Sequence, residues 1–174
     1  LIGMTASRDE LASVLAHELS HVTQRHIARG FVNSQRTTML GVAAMILGMI
    51  AASRSGNADV ANAAIVGGQA ASIQGQLNFS RDMEREADRI GFAVMTGAGF
   101  APDGMAAMFE RLDQASRLND SGGYPYLRTH PLTTERIGEA RARLGTGAAR
   151  TMPMTLGSVA SPFEHSLMQA RARV

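Results

Sequence analysis

The chain has 174 residues, enough for one domain of ordinary size that buries roughly 70% of its unfolded surface. It is 45% hydrophobic and 18% charged, which excludes disorder; few aromatics, no Trp, eleven Met and many Ala favour packed helices over a β-sandwich or barrel. All seventeen basic residues are Arg and the net charge is only +2, with no basic run, so no nucleic-acid partner is expected, and the absence of Cys excludes disulfides and thiolate sites.

Residues 1–5 read as a strand remnant, and a start at Leu1 without Met or signal peptide reads as a processed piece of a longer protein. Ser7 and Glu10 form a capping box, and Leu11, Val14, Leu15, Leu19 and Val22 then recur at helical spacing, predicting a first helix over 8–29. Residues 37–53 carry no charge, but Gly, Ser and Thr dilute their apolarity. Gly41, Ala44, Gly48 and Ala51, and then Ala61, Ala64, Gly68 and Ala71, make two matching ridges of small residues. They predict an antiparallel helical hairpin over 39–53 and 58–76, too polar in its Gln- and Asn-containing second arm to span a bilayer.

A further helix is expected to open near Ser80, with Asp82 and Glu84 in its first turn, and to stop before Gly97. Pro102 opens the next, which runs to Leu118 on Met105, Met108, Phe109 and Leu112. A loop over 119–131 and a helix over 133–144 follow. Ser161, Pro162 and Glu164 predict a last helix start.

His17, Glu18, Leu19, Ser20 and His21 spell HExxH within the first helix. Two His four residues apart differ by about 40° around the axis and about 6 Å along it, so both imidazoles can reach one Zn²⁺ while Glu18 flanks the water to be activated. Chance alone would place this motif in roughly 0.6% of chains of this composition, which makes it moderately specific. A zinc peptidase needs a third protein ligand from a facing helix, and Glu84 is the candidate. Asp88, one turn on, can accept the second ring N–H of a ligand His. Glu86 points elsewhere on that helix. A solvated acidic face paired with Arg81, Arg85 and Arg89 is the bland reading of the same residues. His26 lies off the ligand face and reads as structural or surface, and His165 has no partner motif. Tyr124 or Tyr126 could steady an oxyanion or simply pack on the domain.

HELSHVTQRH over 17–26, SRDMEREAD over 80–88, and Thr129, His130, Pro131 with Glu135, Arg136 and Ile137 together resemble the gluzincin metallopeptidase family of HtpX and the CAAX prenyl proteases across residues 1–145. The resemblance implies a mainly α, zincin-like helical metallopeptidase domain with at most a small β remnant, the sheet that normally precedes HExxH being largely missing. The division is then a metallopeptidase domain over 1–147, a linker over 148–160, and the start of a further helical element over 161–174. It implies Zn²⁺ as cofactor, His17, His21 and Glu84 as ligands, Glu18 as general base, Asp88 as the partner of a ligand His, and His130 beside the metal. His130 precedes Pro131 on a loop that Gly122 and Gly123 make mobile. It can latch the fourth zinc position, stabilise an oxyanion as a catalytic residue, or simply flank the next helix.

The function implied is a zinc metalloendopeptidase acting on unfolded or misassembled polypeptides. In the periplasmic branch of the family that means outer-membrane proteins and their assembly machinery, with peripheral membrane contact through 39–76. One alternative is a chaperone-like binding module with a silenced or structural zinc site. Another is an all-helical interaction domain without metal.

Overall fold

The structure, a computed structural model, describes residues 1–55, 58–118, 125–145 and 162–172, and among these every regular element is helical. Helices α1 (Arg8–Thr23), α2 (His26–Ser55), α3 (Ala58–Gly97), α4 (Asp103–Leu118), α5 (Pro125–Thr129), α6 (Thr134–Gly145) and α7 (Pro162–Ala172) follow a 3-10 turn, Ile2–Met4. The mainly α expectation holds. Residues 1–5 form no strand: the Thr5 hydroxyl donates to the Ile2 carbonyl and the segment turns. The chain divides into two compact units, Leu1–Gln24 with Glu84–Val174, and Arg25–Met83.

In the first unit, Ser7 caps α1 by accepting from the Glu10 N–H at 3.1 Å, and the Glu10 carboxylate returns to the Ala6 N–H at 2.6 Å. Glu10 also holds Arg111 of α4 at 3.0 Å, while the Asp9 carboxylate accepts from the Ala101 N–H at the entry to α4. A Cβ on Gly104 would sit 2.6 Å from the Asp9 backbone, so α1 and α4 touch there without side chains between them. The core joins Ala16 of α1 to Phe92 and Met95 of α3, Met105, Ala106 and Phe109 of α4, and Ala140 of α6. A second cluster joins Val14 to Met108 and Leu112.

The predicted apolar stripe of α1 is split: Val14 is buried, but Leu15, Leu19 and Val22 are 51–72% exposed. The buried face is Glu10, Ser13, Val14, His17 and Ser20. Periodicity marks a stripe but not its direction, and here the polar ligand-bearing face turns inward.

Helix α1 also ends earlier than predicted. Arg25 adopts φ 55°, a left-handed conformation that breaks the helical ladder before His26 restarts it. The start expected near Ser80 does not exist, because α3 runs through it. No Pro or Gly interrupts residues 76–90, and a Ser with acidic neighbours caps only a backbone that is not already hydrogen-bonded. The loop expected over 119–131 contains α5, with Pro125 at its first position. The expected linker over 148–160, with Ser161, Gly122, Gly123 and Tyr124, lies outside the described residues. Helix α7 packs on the 3-10 turn: buried His165 lies 3.4 Å from the Thr5 hydroxyl, and the Gln169 amide donates to the Thr5 carbonyl.

The second unit is the predicted hairpin in lengthened form. A Cβ on Gly48 would lie 2.2 Å from that of Ala64, so these small residues let the arms touch, whereas Gly41 has open space and Gly68 is 3.9 Å from Ala44. The ridge is therefore tight at one level, and a crevice opens along Thr37, Gly41, Ala64 and Gly68. Because α2 begins at His26 and not near 39, His26–Arg54 is long and apolar enough to cross a membrane by length and composition, whereas the second arm, the one expected to be too polar, does not reach that measure. Met39, Leu40, Leu47, Val66 and Ile73 are 60–73% exposed. Replacing Gly48 by Leu should destabilise by about 1–3 kcal/mol and the same change at Gly41 by much less; equal loss in urea unfolding would remove the single-contact description.

Candidate metal centre

The centre lies wholly within the first unit. Helix α1 supplies His17 and His21 on one face, α3 supplies Glu84 and Asp88 one turn apart, and His130 follows α5. Close approach of α1 and α3 depends on Gly91, where a Cβ would lie 3.0–3.1 Å from the backbone of Ala16 and His17. No side chain fits between the two helices at this level, so the carboxylates of α3 meet the imidazoles of α1.

His17, His21, Glu84 and His130 each aim one ligand atom at a common point, all four atoms lying within 4.8 Å of one another. His17 Nε2 is 3.0 Å from His21 Nε2 and 3.5 Å from His130 Nδ1; Glu84 Oε1 is 3.1 Å from His130 Nδ1 and 3.4 Å from His21 Nε2. Tetrahedral zinc with ligand bonds of about 2.0–2.1 Å has ligand–ligand edges of roughly 3.3 Å. The separations match that edge, and three imidazoles with a carboxylate are donors zinc accepts, so the residues fit a zinc ion. His17 is 2% and Glu84 4% exposed, which places the point in a largely dry environment.

The surrounding groups fix these donors. Asp88 Oδ1 lies 2.9 Å from His17 Nδ1, which leaves Nε2 of His17 for the cluster. Arg136, 5% exposed on α6, donates Nε to Asp88 Oδ2 at 2.6 Å and Nη2 to Asp88 Oδ1 at 2.7 Å, and Nη1 lies 2.9 Å from Glu84 Oε2. Tyr126 stacks on the His130 ring at 4.7 Å. Glu18 stands beside the cluster with a half-exposed side chain, Oε1 3.6 Å from His130 Nε2.

Burial opposes charge on Glu84, Asp88 and His17, and their mutual contacts overcome it. It would raise the Glu84 pKa, yet hydrogen bonds from His130, His17 and His21 and the Arg136 charge hold it far below the carboxylate range. Asp88 is lowered likewise, against burial, by His17 and Arg136. Burial would lower His17, but the Asp88 and Glu84 carboxylates raise it. His17 and Glu84 would hold a cation here in place of the proton that the carboxylates otherwise favour on His17. The Tyr126 hydroxyl is pushed up by burial and then by the Glu18 carboxylate, so it stays a neutral donor.

The structure thus brings together all the sequence-predicted ligand candidates, with Glu18 and Asp88 adjacent. His26 is buried at the start of α2 and His165 against Thr5, both outside the cluster. Arg85 reaches across to Glu135 of α6 at 2.8 Å. Sequence reasoning assigned Arg136 no role of its own and left Tyr126 between oxyanion donor and packing residue. Arg136 had a signal available, since it occupies the apolar face of α6 four residues before buried Ala140 and beside Ile137. Tyr126 was placed near the site, but its stacking on His130 depends on α5, which no local pattern announced.

Residues 1–144 match the model of peptidase family M48. The chain is 43% identical over 137 residues, 79% of its length, to the putative beta-barrel assembly-enhancing protease of Vibrio cholerae, and 39% identical over 155 residues, 87% of its length, to the beta-barrel assembly-enhancing protease of Escherichia coli. It spans only 28% and 30% of those two relatives. It is also 29% identical over 140 residues, 79% of its length and 37% of the relative's, to the mitochondrial metalloendopeptidase OMA1 of Saccharomyces cerevisiae. No solved structure matches it. With its cluster of three His and one Glu and a family match over most of its length, the chain belongs to peptidase family M48, a family of zinc-dependent metallopeptidases.

Proposed function

We propose that the chain is the catalytic part of a zinc metalloendopeptidase that cleaves unfolded or misassembled polypeptides, with His17, His21 and Glu84 as zinc ligands and His130 at the fourth position. The observation that carries this reading is the convergence of four ligand atoms within 4.8 Å beside Glu18, whose side chain is 42% exposed. Zinc, when bound, polarises the scissile carbonyl and lowers the pKa of its water. Glu18, standing beside the ligand atoms, would accept the proton of the attacking water and deliver it to the leaving amine. Asp88 keeps His17 in the tautomer that presents Nε2.

His130 acts in this reading as a latch. Its Nδ1 sits among the ligand atoms themselves, 3.1 Å from Glu84 Oε1 and 3.5 Å from His17 Nε2, and not one water diameter away as an oxyanion donor would. Tyr126 supports it by stacking, and substrate enters when His130 withdraws. The names of the relatives support a place in outer-membrane β-barrel assembly, so we assign the protein to the bacterial periplasm and its substrates to stalled outer-membrane proteins. The exposed apolar faces of the hairpin, which carries no charge over 37–53 or 60–80, favour peripheral contact of that unit with a membrane surface.

Glu18→Gln should lower kcat on an unfolded protein substrate by roughly 10²- to 10⁴-fold while zinc content stays at one per chain. Loss of zinc in this variant would make Glu18 a ligand, and unchanged activity would favour a binding module over a peptidase. His130→Ala should raise peptidase activity at unchanged zinc content, whereas a fall in kcat of roughly 10²-fold would make it an oxyanion donor. In liposome flotation the protein should rise with the vesicles and Leu40→Glu/Leu47→Glu should remain below. Flotation of neither would leave the hairpin faces to a protein partner.

A further inference from the structure

Arg136 makes more contacts to this centre than neutralising one carboxylate requires. Its guanidinium forms a two-bond fork on Asp88, with Nε to Oδ2 at 2.6 Å and Nη2 to Oδ1 at 2.7 Å. The remaining nitrogen, Nη1, donates to the Pro131 carbonyl at 2.7 Å and lies 2.9 Å from Glu84 Oε2. The plane is held over the Phe109 ring at 5.0 Å, and Asp88 passes the constraint to His17 Nδ1 at 2.9 Å. One rigid group therefore touches a candidate ligand, the partner of a second ligand, and the backbone next to a third.

We propose that Arg136 is the positioning residue of the centre: it orients Asp88 and Glu84 together and tethers the segment that carries His130. This rests on the zinc reading above. Glu84 Oε1 faces His130 Nδ1 at 3.1 Å and His21 Nε2 at 3.4 Å, while Oε2, 2.9 Å from Nη1, also lies 3.4 Å from His17 Nε2, so the guanidinium and the imidazoles together set the tilt of this carboxylate. The Pro131 carbonyl, held by the same nitrogen, sets how far His130 reaches toward the other ligand atoms. A lysine at 136 would keep the charge, but as a point donor on a flexible stem it could not span Asp88, Glu84 and Pro131 together.

The test uses the purified protein loaded with Co²⁺, whose visible absorption reports coordination, and compares Arg136→Lys and Arg136→Met with Arg85→Met as a surface control. We expect both Arg136 variants to bind Co²⁺ and Zn²⁺ roughly 10- to 100-fold more weakly and to show a weakened, shifted cobalt band, as Glu84 and Asp88 lose their fixed orientation. Arg85→Met should match the unsubstituted protein. Wild-type affinity and band in Arg136→Lys would overturn the proposal, because charge alone would then suffice. A lowered Tm in Arg136→Met with both metal readouts unchanged would also overturn it, reducing Arg136 to a structural ion-pair partner. If Arg136→Met fails to fold, Arg136→Lys, which keeps charge and stem, decides. Unsubstituted protein that takes up neither metal would overturn the zinc reading itself, a result distinct from any failure confined to position 136.

Discussion

Two carboxylates buried one helical turn apart constrain how this peptidase unit is built. Glu84 is 4% and Asp88 1% exposed, and a buried carboxylate without partners costs several kcal/mol. Compensation comes from three other parts of the chain: His17 and His21 from α1, His130 after α5, and Arg136 from α6. Each must arrive within about 3 Å, so the helices that carry them are drawn to one place. Gly91 lets α3 lie against the α1 backbone, and the Met- and Phe-rich core beside it fills the space around α4 and α6. Fold and site depend on the same set of charges.

This constraint also explains an inversion that hydropathy alone would not produce. Helix α1 turns Glu10, Ser13, His17 and Ser20 inward and leaves Leu15, Leu19 and Val22 outside, while α6 buries an arginine on its apolar face. Polar groups occupy interior positions because each finds a charged or hydrogen-bonding partner there: Glu10 with Arg111, Ser20 with the Ala16 carbonyl, Arg136 with Asp88. The unit carries the preorganised polar cluster that metal chemistry requires, supported by packing on its flank.

What was legible in the sequence followed the reach of local geometry. HExxH and the Glu84–Asp88 pair are i, i+4 relations on helices, so their shared faces could be derived without knowing the fold. The small-residue ridges likewise foretold the Gly48–Ala64 contact. Features that depend on distant partners were not legible. Arg25 leaves the helical region, and nothing in its neighbours' propensities forbade continuation. Ser80 resembled a helix cap but sits inside α3, because propensity cannot tell a cap from an interior position once the preceding turn is hydrogen-bonded. Arg136 acquires its role only when α6 meets α3, forty-eight residues away in sequence.

The proposed chemistry requires one zinc ion at one point. Anomalous scattering across the zinc absorption edge, from crystals of the purified protein, tests this most directly. A single strong peak is predicted, bounded by His17 Nε2, His21 Nε2 and Glu84 Oε1, with His130 Nδ1 completing the tetrahedron. A zinc-replete crystal with no peak there, or with its peak at ligands elsewhere in the chain, would contradict it.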